Sequence, residues 1–503
     1  MGDRSSTILV FGDQLNRRIG ALADANPDDN RVLLIESDQL LTAGRHRQRN
    51  HLVVTAMRRF GDELTDAGFE VDRRRAATMR VGIEEHRAEF KPDGMIATEP
   101  NSRGGRALCR QLDIGLEPSN QFLCHHDDFA DWADGRSTMK LEDFYRWNRA
   151  RLGYLMDGEG DGAEPVEGRW NFDHDNREPP PDDPSMFASP PTSRLDDVDD
   201  EVLASLPDGP NNHGAEPVGI WPTSRRAALA RLNHFLDRNL ENFGRYEDAM
   251  TSESWHLAHS LLSPALNIGL LMPDEVCDAV EERYRAGQVP INSAEGIIRQ
   301  IIGWREYVWG LYWLWPDHID SNTLNHRREL PPMFTGAAST EMACLADTFA
   351  GLDERAWVHH IPRLMLLSNM ANLYGIHPRR VMEWMSDRYI DAAEWVMVPN
   401  VMGMALWADG GRMATKPYVS GGAYINRMSD YCSSCRYNPR KRTGDDACPF
   451  TTLYWDFMAR HRDRLADNNR MARPLANLDR LSDLDDVRAQ AERTIRAIRD
   501  GRA

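Results

Sequence analysis

Hydrophobic positions divide the chain into two regimes. Over the first ~140 residues, short apolar runs alternate with segments of helical period. Thr7 to Phe11 and Val32 to Ile35 read as buried parallel strands, the first ended by Gly12-Asp13. Met95-Ile96-Ala97 reads as another. Leu52, Val53, Ala56, Met57, Phe60 and Leu64 recur at helical spacing, with Gly68 as the stop. This alternation predicts a doubly wound α/β domain over residues 1–140, with a Rossmann-like parallel sheet.

From about Ala227 onward the pattern is helical almost to the end. Helices are predicted over 226–240, 294–315, 361–373 and 379–393, with a polar helical tail over 481–498. Gly287, Pro290, Pro331, Pro332 and the run Gly375 to Pro378 punctuate them. A large all-α domain over 221–503 follows. Between the two regimes, 141–220 reads as a linker, because Asp, Glu, Pro and Gly dominate from Gly158 to Pro217. Gly168-Arg169-Trp170-Asn171-Phe172-Asp173 inside it is too aromatic for a free tether and is expected to dock.

Composition narrows the function. The 503 residues are 41% hydrophobic and 27% charged, which excludes a collagen, a wholly disordered chain or a small disulfide scaffold. The net charge of -18 argues against coating nucleic acid through bulk charge, but not against a local basic surface. Arg436, Arg440, Lys441 and Arg442, with Arg379-Arg380, are the candidates for such a rim. No apolar run approaches the ~20 residues of a membrane span, so the expectation is a cytoplasmic monomer with no membrane partner.

The seven cysteines are unevenly placed. Cys432-Ser-Ser-Cys435 is followed by Cys448-Pro449, and two cysteines three apart can offer both sulfurs to one metal centre. Cys344 is the best placed fourth ligand. From spacing alone, tetrahedral zinc and an iron–sulfur cluster fit equally.

Three more features carry chemistry. Tyr246 and Asp248 precede His259-Ser260-Leu261-Leu262-Ser263-Pro264, where two hydroxyls flank a turn that can present backbone N–H groups to an anion. An ordinary N-cap explains the same residues. Of His359-His360, at most one can face a given pocket, and its near-neutral pKa suits a proton donor. Trp304, Trp309, Trp313 and Trp315 lie close to Tyr307 and Tyr312, as core or as a stacking surface for a flat ligand.

Together these motifs resemble the cryptochrome/photolyase family, and within it the bacterial iron–sulfur branch that includes the prokaryotic (6-4) photolyases. The resemblance runs through Phe11-Gly12-Asp13-Gln14-Leu15, Gly168 to Asp173, His259 to Pro264, Gly303-Trp304-Arg305-Glu306-Tyr307, His359-His360-Ile361-Pro362-Arg363, and Tyr431-Cys432 to Cys448-Pro449-Phe450.

The resemblance implies an N-terminal antenna domain and a C-terminal FAD domain. Blue light would excite reduced FAD, which passes an electron to a lesion flipped out of UV-damaged DNA. Tyr246, His259, Ser260, Leu261, Leu262, Ser263 and Trp304 would then hold FAD. Arg363 and Asp391 would pair beside the isoalloxazine, Asn400 would lie near its N5, and Trp384 would be a link in the chain that photoreduces it. Cys344, Cys432, Cys435 and Cys448 would hold a [4Fe-4S] cluster. Asp13 and Glu36 would hold a 6,7-dimethyl-8-ribityllumazine antenna. Tyr418 would line the lesion pocket and His360 would transfer the proton, with His359 beside it. The implied activity is that of a (6-4) photolyase, a carbon–carbon lyase. The alternative is a cryptochrome-like blue-light receptor with little or no repair. Two positions depart from the pattern: Leu364 stands where animal (6-4) enzymes have a second histidine, and Met397 stands near an expected acidic residue.

Overall fold

Ile8, Leu9 and Val10 are buried, as befits a strand covered on both sides. In the computed structural model, which describes residues 6–158, 160–207 and 212–502, they form the central strand β1 (Ser6–Val10). The sheet also contains β2 (Asn30–Ser37), β3 (Glu70–Ala76), β4 (Gly94–Thr98) and β5 (Gly115–Glu117), all parallel, in the order β3-β2-β1-β4-β5. Ile8 faces Val32 on one side and Ile96 on the other. The two edge strands, β3 and β5, had no apolar run to betray them. β3 reads EVDRRRA, because an edge strand with one solvated face can carry charge.

The chain leaves β1 toward β2 and later returns to place β4 on the opposite flank of β1. Such a reversal opens a crevice at the carboxyl ends of the strands. Asp13 follows β1 there, and Glu99 to Asn101 follow β4. One face of the sheet packs Leu9, Leu33 and Ile35 against Ile83 and Cys109. The other packs Ile8, Val10, Val32 and Leu34 into a core shared with Leu236, Ala265 and Ile298 of the helical part.

The linker is a structured strap. Leu141–Leu152 is a helix with Phe144 and Tyr145 fully buried. Gly168 to Asp173 docks: Arg149 Nη1 donates to the Trp170 carbonyl (2.7 Å), and the Phe172 N–H donates to Glu295 Oε2 (3.1 Å). Asp196 caps the helix Asp197–Ser205.

The rest of the chain is helical. Arg225–Arg238, Pro378–Arg388 and Leu484–Arg499 match predicted segments, while Pro449–Arg460 is a helix that the sequence pattern did not announce; Pro378 and Pro449 lie in first turns. The helix expected to reach residue 393 ends at Arg388, where an extended Tyr389 turns the chain toward Asp391. Three stretches wind more loosely, as π-helical turns: Arg299–Arg305, Pro362–Ser368 and Pro399–Ala405. Among the described residues no helix is long and apolar enough to cross a membrane.

Candidate functional site

The three π-helical turns face one cavity of about 1040 Å³ in the helical part, to which they contribute Arg299, Gln300, Trp304, Arg305, Leu364, Met365, Asn400 and Met404. Such turns cost a regular hydrogen-bond ladder and recur at functional sites. They displace side chains from the straight helical rows, which widens the space between helices.

At one end of the cavity Arg363 grips Asp391 through two parallel hydrogen bonds, Nη1 to Oδ1 and Nη2 to Oδ2, each 3.0 Å. Ser263 Oγ donates to Asp391 Oδ2 (2.7 Å), and Asn267 Nδ2 donates to the Asp391 carbonyl (2.8 Å). Asp391 therefore ties the short helix Ser263–Asn267 to the element carrying Arg363. Leu261, just before it, holds a left-handed φ of +57°, which costs a side-chain-bearing residue about 1 kcal/mol. Strain of this kind persists where the surrounding structure enforces a particular turn.

Of the residues singled out from sequence, Ser260, Leu262, Ser263, Trp304, Asp391, Asn400, His360 and Tyr418 line this cavity. Asn400 is anchored by its own side chain, Nδ2 donating to the Val396 carbonyl. Tyr246, His259, Leu261, Arg363, His359 and Trp384 are not among the lining residues. Arg363 stands behind Asp391, its guanidinium 4.1 Å from the Tyr389 ring centre. Tyr246 packs edge-on against Phe187. Trp384 donates its indole N–H to the Phe334 carbonyl (2.7 Å) and packs on Phe334 and Phe349.

His359 stacks on His259, ring centres 4.3 Å apart. With His360 they bring three imidazole nitrogens within 4.8 Å of one another. A metal ion must lie in the plane of each imidazole that holds it, and stacked rings cannot both meet that condition. The trio is therefore a packed histidine group. Burial, with the neighbouring His259, His360 and Arg363, pushes His359 well below the usual histidine range.

His360 differs. Its Nε2 lies 3.3 Å from Asp248 Oδ1, and its side chain is 47% exposed toward the cavity. Desolvation pulls its pKa down, but the Asp248 hydrogen bond and the charges of Asp248 and Glu247 outweigh it, so the net shift is upward. Of the adjacent pair, His360 is the one that lines the cavity, and its surroundings favour the protonated form.

Sequence reasoning missed Glu247, a buried carboxyl on the same wall. Gln300 Nε2 donates to its Oε1 (2.6 Å), and Asn176 Nδ2 to its Oε2 (3.3 Å). Its only signal was its place between Tyr246 and Asp248. The cations at the cavity were also missed: Arg177, Arg299, Lys416, Arg427 and Arg470. Arg177 and Arg299 pair with Asp173. Among the described residues no carboxylate pairs with Lys416, Arg427 or Arg470. The rim expected from sequence is largely neutralised: Arg436 pairs with Glu341, Lys441 with Asp446, Arg442 with Asp483, Arg379 with Asp320 and Arg380 with Glu329.

A second site lies apart from the cavity. Cys344, Cys432, Cys435 and Cys448 line one small void walled by Met342, Ile425, Tyr431, Tyr437 and Phe450. Cys344 comes from the first turn of Ala343–Arg355, and Cys448 is the N-cap of Pro449–Arg460. Gly422 permits the approach, since a Cβ there would sit 3.0 Å from Cys448 Sγ. Burial raises these thiols, Cys432 to about 12 and Cys344 and Cys448 upward, with neighbouring cysteines adding to the rise. Such a group is poorly placed to hold thiolates without a cation.

At the carboxyl end of the sheet, burial raises Asp13 to about 6 against the hydrogen bond from Asn101 Nδ2 (3.3 Å). Glu36 is already engaged by Arg58, Nε to Oε1 at 2.7 Å and Nη2 to Oε2 at 2.9 Å.

Residues 8–215 match the family model described as deoxyribodipyrimidine photo-lyase-related protein. A (6-4) photolyase of Agrobacterium fabrum is 40% identical over 513 aligned positions, covering 98% of this chain and 100% of that one. The solved structure of a bacterial class III photolyase from Agrobacterium tumefaciens covers 99% of both chains with a TM-score of 0.58 at 16% identity. A Synechocystis cryptochrome structure covers 94% of this chain and 92% of its own, with a TM-score of 0.55 at 14% identity. At those identities the two structures speak for the fold alone.

Proposed function

The chain belongs to the (6-4) photolyase family, and we propose that it is a light-driven DNA repair lyase that reverses the pyrimidine (6-4) photoproduct. The observation that carries the reading is His360 beside Asp248 on the wall of the large cavity. Reversing a (6-4) adduct returns a hydroxyl from one base to the other, which calls for a positioned proton donor. A cyclobutane dimer requires no such transfer.

The cavity fits FAD. Its volume of about 1040 Å³ is ample, and it combines apolar walls at Ile297, Val308 and Trp395 with the Ser260 to Ser263 turn and Asp391. When bound and reduced, FAD supplies one electron to the lesion on blue-light excitation. Ser260, Leu262 and Ser263 would hold its phosphates, and the Arg363–Asp391 pair, bonded to Ser263, would supply a charged anchor beside that turn. Tyr418 and Trp304 offer flat faces to an unstacked base. Lys416, Arg427 and Arg470 meet the phosphates on either side of it, so a chain of net charge -18 grips DNA through a focused patch.

For the cysteine site the four sulfurs support a [4Fe-4S] cluster over zinc. The four converge on one void lined by apolar and aromatic side chains, and the loop from Tyr431 to Phe450 resembles that of the iron–sulfur branch. The antenna reading rests on Asp13, which lies at the switch point of the sheet and is free to donate when protonated. Glu36 would join it only by sharing or leaving Arg58.

The test is chemical. The reduced, FAD-loaded protein is mixed with a duplex carrying one (6-4) photoproduct and illuminated. The expected result is recovery of intact pyrimidines in the light and none in the dark. Intact lesion after illumination overturns the reading.

A further inference from the structure

His360 stands at one corner of a larger arrangement. One turn further along its helix the cavity wall is Leu364, so that face offers no second imidazole. The loop opposite supplies two consecutive carboxyl groups instead. Asp248 meets His360 Nε2. Glu247 lines the same cavity but is buried, with Gln300 and Asn176 donating one hydrogen bond to each of its oxygens.

We propose that Glu247 is a second acid–base group of this cavity, which stores a proton for His360. This rests on the repair reading and deepens it. Asp248 faces the imidazole, and the second carboxyl, Glu247, is buried on the same wall; two carboxylates so near one imidazolium in a partly dry space favour a proton on the more buried of them. The groups facing Glu247 are His360, Asp248, Arg299 and Asp173. Burial dominates, Asp248 and Asp173 push the same way, and His360 and Arg299 oppose, leaving Glu247 at about 7. It therefore exchanges its proton near neutrality, where a donor is most useful. Asp248 orients His360 through its hydrogen bond to Nε2.

The cycle balances. His360 gives its proton to the oxygen leaving one base. Glu247 gives its proton to the imidazole and becomes a carboxylate, so the His360–Glu247 pair loses one unit of positive charge and the lesion gains it. When the hydroxyl is restored and the bases separate, the proton released returns through the imidazole to Glu247. No external acid or oxidant is consumed.

Three measurements test this. Repair by the FAD-loaded wild type, followed in single turnovers from pH 5.5 to 9, is expected to fall as pH rises through about 7, because the stored proton is lost. Glu247→Gln is expected to be slower by about tenfold or more at pH 6 and to lose that limb, while binding lesion DNA within about threefold of wild type. Glu247→Asp is expected to restore the limb. Independently of FAD, DNA and light, the His360 imidazole titration followed by NMR is expected to shift downward in Glu247→Gln, since the negative charge that Glu247 takes on as it releases its proton near pH 7 is gone. A Glu247→Gln protein that repairs at the wild-type rate with the same limb overturns the proposal. So does a His360 titration that does not move. If the wild type repairs no (6-4) lesion, the repair reading fails, and the NMR shift alone then judges the coupling.

Discussion

Arg363 and Asp391 meet through two parallel 3.0 Å hydrogen bonds, and Asp391 also accepts from Ser263 Oγ. Three segments far apart in sequence are thereby pinned at one end of the cavity. Asp391→Asn keeps the shape but removes the charge. It leaves a partly buried guanidinium without its partner, a loss of about 3 kcal/mol. The expected outcome is a protein that unfolds at lower urea and purifies with little FAD. Unchanged flavin content would remove Asp391 from the cofactor site.

His360→Ala should leave FAD and lesion DNA bound and cut repair by about 100-fold or more. His359→Ala should act differently, because His359 packs against His259 instead of lining the cavity. It should lower stability with a much smaller loss of repair. Equal losses of repair in the two variants would contradict their assigned places.

DNA binding should be sensitive to salt through a few cations. Lys416→Ala or Arg470→Ala should each lower the slope of log affinity against log salt by about 1. Arg442→Ala should change it little, because Arg442 is held by Asp483. The reverse pattern would place the DNA surface on the cysteine loop, where the sequence alone put it.

Burial holds His326 at about 3 and His461 at about 4, with the nearby Arg460 and Arg464 acting in the same direction. Unfolded, each titrates near 6.5. Their folded pKa values are depressed, so their contribution is complete above 6.5 and is lost as pH falls below it. Stability should drop between pH 7 and pH 5 by roughly 2 kcal/mol for each of these histidines, read from urea midpoints. His360, whose pKa is raised, acts in the opposite direction but is one group against several. A flat profile over that window would mean that these rings are not neutral in the fold.

Much of this was legible in the sequence where a residue's role is local. The strands β1, β2 and β4 announced themselves by apolar runs, and Cys432, Cys435 and Cys448 by spacing, with Cys344 added through the resemblance. What was hidden depends on partners distant in sequence. β3 is written in charged residues because only one of its sides is paired. Glu36 looks free in sequence, yet Arg58 occupies it. Glu247 has no motif, and its character comes from burial under Gln300 and Asn176. The basic rim read from sequence is largely ion-paired in the fold, because sequence counts arginines and cannot see the acids beside them. Between His359 and His360 the residues alone could not choose, since that depends on which way a helix end turns; the choice of His360 came from the resemblance.

Cys448→Ala should lose essentially all bound iron and melt at a temperature lower by about 5 °C or more, since the site joins helix Ala343–Arg355 to helix Pro449–Arg460. Zinc in place of iron in the wild-type protein would contradict the cluster.

The central claim is that the cavity performs (6-4) repair by proton transfer as well as electron transfer. It is tested most directly by illuminating the reduced, FAD-loaded protein with two duplexes side by side, one carrying a (6-4) photoproduct and one a cyclobutane dimer, and separating the products. The account predicts light-dependent recovery of normal bases from the (6-4) duplex, lost in His360→Ala. Repair confined to the cyclobutane duplex, or no repair of either by protein with intact flavin, would contradict it.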